Sequence, residues 1–211
     1  MKLAILAKEP VKQEWLMKPV GQAGVQWVED IDALASAQAD AYFHLGFEED
    51  PASIRKLVRI TGPVFINSVI EPLIDSELLA AAQENCQLIR INAWPTFLKR
   101  ELVECCIADP FDETTVKEVF AALDWKYRIV PDVPGMISPR IIAMIINEAY
   151  YTLQAGVSTK EEIDTAMKLG TNYPFGPFEW SEKIGPQRVH ALLQALSRTD
   201  ARYQPAENME L

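Results

Sequence analysis

Ser158-Thr159-Lys160-Glu161-Glu162-Ile163-Asp164-Thr165-Ala166-Met167-Lys168-Leu169-Gly170, running on into Thr171-Asn172-Tyr173-Pro174-Phe175-Gly176-Pro177-Phe178-Glu179, is the stretch on which the reading of this chain turns. A hydroxyl residue three positions ahead of a glutamate forms a capping box, each side chain accepting from the other's backbone N–H. Ser158 and Glu161 have that spacing. The helix they open is expected to turn Ile163, Ala166 and Met167 inward and to close at Gly170. Residues 171–178 place a glycine between two prolines. They read as a rigid loop that restarts a helix at Pro177, because proline is well suited to a first helical turn.

Both flanks of this stretch also read as helix. Downstream, Val189, Leu192, Leu193 and Leu196 form one buried stripe, and the polar tail from Thr199 is expected to fray. Upstream, Ser138-Pro139 supplies an N-cap and a proline at the first helical position. That helix runs through Ile141, Ile142, Ala143, Met144, Ile145 and Ile146 to a stop at Gly156. It is apolar nearly all round, which calls for burial on most sides. A chain of 211 residues offers limited cover, so a partner subunit is one source of the remainder.

The pattern changes at Pro131-Asp132-Val133-Pro134-Gly135, where two prolines and a glycine interrupt regular structure. Ahead of it, short apolar runs at 3–7, 25–28, 41–45, 64–68, 88–92, 102–108 and 127–130 predict strands. Helical segments lie between them. Asp50-Pro51 opens one whose apolar face is Ile54, Leu57 and Val58. Asp75 caps another across Leu78, Leu79 and Ala82. Val116, Val119, Phe120 and Leu123 mark a third. Strands alternating with helices define an α/β unit. The expected architecture is an α/β domain over residues 1–132 and an all-helical domain over 133–211.

Composition narrows the function. Thirty acidic residues against twenty basic ones leave a formal charge of −10, which argues against nucleic acid as a partner, since phosphate-backbone binding needs a basic face. No run approaches the ~18 apolar residues of a membrane span, and the apolar run at the start, Leu3 to Ala7, is too short for a signal peptide. Three cysteines, Cys86, Cys105 and Cys106, are odd in number. They read as buried free thiols in a reducing, cytoplasmic compartment.

Little catalytic equipment is visible. A dinucleotide cradle needs closely spaced glycines at the first strand–helix turn. Here that turn is Ala7-Lys8-Glu9-Pro10-Val11-Lys12, with no glycine before Gly21. Glu9 would repel a phosphate and Pro10 removes an amide donor. Gly21-Gln22-Ala23-Gly24 precedes the second strand, the wrong place for a cradle. Two histidines, His44 and His190, and unpaired cysteine spacing point to no metal site. Ser68, Cys105 and Cys106 sit in strand-like runs with no base tied to them. His190 reads as a helix-packing residue. His44 differs: it lies at the carboxyl end of a strand, where open α/β sheets bind ligands.

From about Cys86 onward the chain resembles the 3-hydroxyacyl-CoA dehydrogenase family. The segment from Glu161 through Glu179 is similar to that family's signature DIDTAMKLGxGYPMGPFEL. Pro134-Gly135-Met136-Ile137 and Asn147-Glu148-Ala149 resemble the segment before it, and Leu102-Val103-Glu104 looks like the family's LVEV strand. The resemblance implies a Rossmann-like domain, here reduced by at least one βα unit, followed by a helical domain that dimerises and helps to hold an acyl-CoA. It also implies a histidine base oriented by a glutamate, with a serine and an asparagine contacting the substrate oxygen and NAD as cofactor.

Glu104 matches the family's glutamate. Counting back from it places the histidine position on Asn92, and anchoring on Pro95 places it on Ile91. Neither residue exchanges a proton near neutral pH. The family asparagine falls on Pro139, and the serine region corresponds to Asn67-Ser68-Val69. Losing a general base costs about 10²–10⁴-fold and losing an oxyanion contact about 10²–10³-fold.

Two readings stay open. In the first, the chain is a homodimeric acyl-CoA-binding or scaffolding homologue without confident NAD binding, in which Asn92 hydrogen-bonds a thioester oxygen. In the second, it is an active NAD-dependent oxidoreductase with a rearranged site in which His44 supplies the base, near where the resemblance would place the nicotinamide.

Overall fold

The computed structural model describes residues 1–73, 86–107, 113–207 and 209. The chain divides into two compact units, Met1–Met136 and Ile137–Leu211. The helix expected behind Asp75, with Leu78, Leu79 and Ala82, and the strand-end residue Ala108 lie outside the described residues.

Among the described residues the first unit has seven strands: β1 (Lys2–Leu6), β2 (Gly24–Val28), β3 (Ala41–His44), β4 (Gly62–Asn67), β5 (Cys86–Ile91), β6 (Leu102–Ile107) and β7 (Lys126–Ile129). They form one sheet in the order β2-β1-β3-β4-β5-β6-β7. All seven expected runs are strands, with ends shifted by one or two residues. β1 to β5 pair in parallel, β6 runs antiparallel to β5, and β7 is parallel to β6.

The strands are apolar on both faces because both faces are covered. Leu3, Ile5, Phe43, Phe65, Ile89 and Ile91 share one cluster with Trp15, Val116, Phe120 and Trp125. The alternate residues Ala4, Leu6, Tyr42, Val64, Ile66 and Leu88 pack with Leu34, Ile54 and Leu57. Phe43 and Phe65 are register partners and their rings stack at 4.5 Å.

Helix α1 (Val11–Leu16) and helix α2 (Ile31–Ser36) have only six residues each, too few for a 3.6-residue period to show in sequence. A local signal for α2 exists: the Asp30 side chain accepts from the Ala33 N–H at 2.8 Å as an N-cap. The segment after Asp50-Pro51 is more broken than expected. Two 3₁₀ turns, Phe47–Glu49 and Pro51–Ser53, precede a four-residue helix α3 (Ile54–Leu57). Asp50 makes no side-chain cap, although the expected face of Ile54, Leu57 and Val58 is buried. Helix α4 (Glu113–Leu123) buries Val116, Val119, Phe120 and Leu123 as its spacing predicts. Gly21 has φ +49°, and a Cβ there would overlap the Ala122 carbonyl. Its role is close packing against the end of α4.

Among the described residues the second unit has four α-helices, α5 (Ser138–Gln154), α6 (Lys160–Thr171), α7 (Pro177–Ile184) and α8 (Pro186–Ser197), followed by a 3₁₀ turn, Ala201–Tyr203. α8 buries Val189, Leu192, Leu193 and Leu196. Four sequence expectations are corrected here. Ser138 is the first residue of α5, and Ile137 takes the N-cap position without a side-chain bond. The capping box of α6 is Thr159–Glu162, one residue later than Ser158–Glu161, while Ser158 donates to Glu162 Oε2 at 2.5 Å. The shift moves the end as well, so α6 runs through Gly170 to a left-handed Asn172 at φ +57°. Its buried residue is Asp164; Ile163 and Met167 are half-buried and Ala166 is exposed.

The described part of the tail, residues 199–207 and 209, is packed rather than frayed. Asn147 of α5 donates to the Gln204 carbonyl at 2.8 Å and accepts from the Ala206 N–H at 2.9 Å. Tyr203, Ala206 and Met209 are buried. The apolar surface of α5 is only partly covered, with Ile141 54% and Tyr151 38% exposed. Among the described residues no helix is long and apolar enough to cross a membrane.

Candidate functional site

His44, Ser68 and Asn92 sit at or just beyond the carboxyl ends of the parallel strands β3, β4 and β5, the edge where open α/β sheets bind ligands, and Glu104 lies within the antiparallel strand β6 beside them. At the end of β5, the Asn92 N–H donates to the Glu104 carbonyl at 3.0 Å. The antiparallel register thus sets Asn92 and Glu104 opposite one another on one face. Both are buried. The Asn92 side chain is committed locally, its Oδ1 accepting from the Trp94 N–H at 3.3 Å.

Ser68 follows β4, the neighbouring strand. Its hydroxyl donates to the Glu71 carbonyl at 2.9 Å, and its own carbonyl accepts from Arg90 Nε at 2.6 Å. His44 ends β3 and is register partner of Ile66, which in turn faces Arg90 on β5. It therefore stands two strand spacings, about 9.5 Å, from β5. Sequence reasoning grouped Glu104, Asn92, Ser68 and His44. The fold brings the first two together, sets Ser68 one strand away, and leaves His44 apart.

The residues that shape this edge were missed in sequence. Arg90 is fully buried and pairs with Asp132, while its Nη2 donates to the Val69 carbonyl at 3.0 Å. It ties the loop after β4 to the segment that closes the first unit. Glu48 accepts from the N–H groups of Val69 and Ile70 at 2.6 and 2.9 Å and from Trp94 Nε1 at 2.6 Å. Glu14 of α1 accepts from the Thr96 and Lys99 N–H groups, stabilising a turn in which Thr96 has φ +78°. Arg90 in an otherwise apolar run was the one sequence signal. The carboxylates lie 21 to 85 positions from their partners.

His44 lines a pocket of about 210 Å³ with Leu6, Ala7, Lys8, Glu29, Asp30, Ile31, Gly46, Glu49 and Asp50. It is 3% exposed, and neither ring nitrogen has a hydrogen-bond partner among the described residues. Its ring meets Phe47 edge-on at 5.9 Å. Burial lowers its pKa to about 4, only partly opposed by Asp50. The imidazole is therefore neutral at pH 7.

The same pocket lies where a dinucleotide's first phosphates would be held, and its residues do not fit that group. The turn after β1 carries side chains at every position, α1 is capped by Pro10, and the rim has four carboxylates against one lysine. Such a rim repels a pyrophosphate. The thiols of Cys86, Cys105 and Cys106 are free and buried, and burial pushes them up to about 11, 12 and 12. They are poor nucleophiles at neutral pH. Among the described residues no group of three or more His, Cys, Asp or Glu is placed to hold a metal ion.

In the helical unit the quoted stretch explains itself. The Asp164 carboxylate accepts from the Phe178 and Glu179 N–H groups at 2.8 and 3.1 Å, satisfying two orphan donors of α7. Residue 176 is glycine because a Cβ would overlap that carboxylate.

An open, mostly parallel α/β sheet followed by a helical unit is a Rossmann-like architecture with a C-terminal helical domain. Residues 135–210 match the model of the 3-hydroxyacyl-CoA dehydrogenase C-terminal domain, so the helical unit is a domain of that family. It is similar to the 3-hydroxyadipyl-CoA dehydrogenase of Escherichia coli, 49% identical over 78 residues that are 36% of this chain and 16% of that protein. It is also similar to a 3-hydroxybutyryl-CoA dehydrogenase of Bradyrhizobium diazoefficiens, 36% identical over 62% of this chain and 46% of that protein. The chain thus spans less than half the length of these curated relatives. The fold matches the crystal structure of (S)-3-hydroxybutyryl-CoA dehydrogenase from Ralstonia eutropha with a TM-score of 0.72 at 20% identity, over 99% of this chain and 91% of that one.

Proposed function

We propose that this chain is a homodimeric acyl-CoA-binding member of its family that does not itself perform nicotinamide-dependent hydride transfer. One observation carries the reading: the strand end opposite Glu104 holds Asn92, whose side-chain oxygen is bonded to the Trp94 N–H. An amide cannot take a proton from a substrate hydroxyl near neutral pH. The Asn92 side-chain amide N–H then donates to a thioester oxygen, with Glu104 set opposite it on the neighbouring strand. The carboxylate-rimmed turn after β1 supports the same reading. Dimerisation is supported by the apolar surface of α5, α6 and the loop between them, where Ile141 is 54%, Val157 72% and Leu169 83% exposed. A cytoplasmic setting is supported by the three free thiols.

A second reading makes the chain an active oxidoreductase with His44 as base, favoured by the two unpartnered ring nitrogens. The lowered pKa opposes it, since a general base works best with a pKa near the operating pH. One experiment separates the two. The purified protein is incubated with NADH and acetoacetyl-CoA, absorbance is followed, and acyl-CoA binding is measured by calorimetry. Binding without NADH loss is expected. Steady NADH loss that falls in His44→Ala would replace the first reading by the second, and absence of both binding and turnover would sink both.

A further inference from the structure

The loops after β3, β4 and β5 meet on one carboxylate. Glu48 stands in the 3₁₀ turn that follows β3, and it divides its two oxygens between the other two loops. Oε1 accepts from the Val69 and Ile70 N–H groups, next after Ser68, at 2.6 and 2.9 Å. Oε2 accepts from Trp94 Nε1 at 2.6 Å. Hydrogen bonds to a charged acceptor are roughly twice as strong as neutral ones, and Trp94 is buried. The indole is therefore held firmly.

The tether reaches Asn92 through Trp94. The Trp94 main-chain N–H donates to Asn92 Oδ1 at 3.3 Å. An asparagine amide keeps nearly the same shape when its oxygen and nitrogen change places, but only the oxygen can accept. The Trp94 N–H thus decides which end of the amide is turned inward and leaves the Nδ2 donors on the other end. An amide turned the opposite way would set its oxygen against a thioester oxygen, and two acceptors cannot bond. Neighbouring bonds fix the main chain of this corner: the Ala93 N–H donates to Asn67 Oδ1 at 2.9 Å, and Arg90 Nε to the Ser68 carbonyl at 2.6 Å. Glu48 adds a hold on the Trp94 side chain.

We propose that Glu48 is a positioning residue for thioester recognition: acting through Trp94, it keeps the Asn92 amide in the orientation that donates to a thioester oxygen, and it fixes the Ser68 loop alongside. The inference rests on the acyl-CoA-binding reading and deepens it. Glu48→Gln tests it with little change of shape. Glutamine has a single acceptor oxygen, so it serves one of the two loops and turns an NH₂ group toward the donors of the other.

Butyryl-CoA and S-butyl-CoA, its thioether counterpart, differ in the one oxygen that Asn92 would recognise. Both are titrated into the full chain by calorimetry. The parent is expected to hold butyryl-CoA about tenfold more tightly, the scale of one hydrogen bond. In Glu48→Gln the two ligands are expected to bind within about twofold of each other, because that bond is lost while the thioether affinity stays near the parent's. Trp94→Phe deletes the indole N–H, keeps an aromatic ring, and is expected to do the same. The double variant should be no worse than either single one, as for two partners in one bond. Trp94→Phe carries the test if Glu48→Gln fails to fold. A thioester preference that survives in these variants overturns the inference and leaves the acyl-CoA reading standing. Equal weakening of both ligands reduces Glu48 to a structural residue and overturns it as well. A parent that binds neither ligand, or does not distinguish them, overturns the inference together with the thioester contact on which it rests.

Discussion

The two units differ in how far their buried polar contacts reach along the chain, although both hold unpartnered atoms among the described residues: Trp180 Nε1 and Ser181 Oγ in the helical unit, and Trp15 Nε1, Thr96 Oγ1 and both His44 ring nitrogens in the first. In the helical unit, Asp164 caps α7 through two backbone N–H groups and Asn147 clamps the tail through a donor and an acceptor. These side chains have a complete structural role, which is why the motif can be read without invoking a ligand. At the edge of the sheet, Arg90, Glu48 and Glu14 are equally well used, yet His44 beside them has neither nitrogen paired among the described residues. The contrast teaches that the recognisable motif is held by side chains close together in sequence, whereas the sheet edge is held by carboxylates and an arginine brought together from distant segments.

The sharpest way to break the contrast is to unpair a charge that the sheet edge has satisfied. Asp132→Ala leaves the Arg90 guanidinium buried without its carboxylate. Removing one partner of a buried pair typically costs about 3–5 kcal/mol. Urea denaturation followed by circular dichroism is expected to show a loss of that size. A loss under about 1 kcal/mol would mean that the tether matters little.

The next effect is a pH dependence carried by the unpaired histidine. The folded-state pKa of His44 is lowered to about 4 from 6.5, so the unfolded chain takes up its proton first as pH falls. The associated stability is present in full above pH 6.5 and is lost progressively down to about pH 4. The difference corresponds to roughly 3 kcal/mol at ~1.4 kcal/mol per pKa unit. His44→Leu is expected to flatten the stability curve over that window. An unchanged slope in the variant would show that His44 titrates normally in the folded chain.

The smallest effect tests the motif itself. Asp164→Ala removes the acceptor for two N–H groups at the start of α7. Loss of a helix cap costs about 0.5–2 kcal/mol, and the upper end applies because both donors lose a buried partner. Glu161→Ala on the exposed side of α6 should change stability by less than about 0.5 kcal/mol. If the two variants unfold alike, Asp164 does not hold the motif together.

Much of this molecule was legible without coordinates. Seven apolar runs became seven strands, and α4 and α8 buried the residues their spacing selected, because burial imposes its period on the sequence. Helix ends were less legible. Ser158–Glu161 and Thr159–Glu162 are both capping-box patterns, and only packing chose the second. That choice put Asp164 inward, where spacing had placed Ile163, Ala166 and Met167. The tail after Thr199 read as frayed because the Asn147 that anchors it lies 57 residues away from Gln204.

The sequence by itself determined the alternation of strands and helices, the helical unit's family and the absence of a glycine-rich turn after β1. All of these are local patterns, set by how each residue meets its near neighbours along the chain. Tertiary structure alone decided the rest: the reversal of β6, the pairing of Arg90 with Asp132, the reach of Glu48 and Glu14, and the isolation of His44 from Asn92. Those depend on residues far apart in sequence meeting where the polypeptide folds back, and no periodicity or spacing records such meetings.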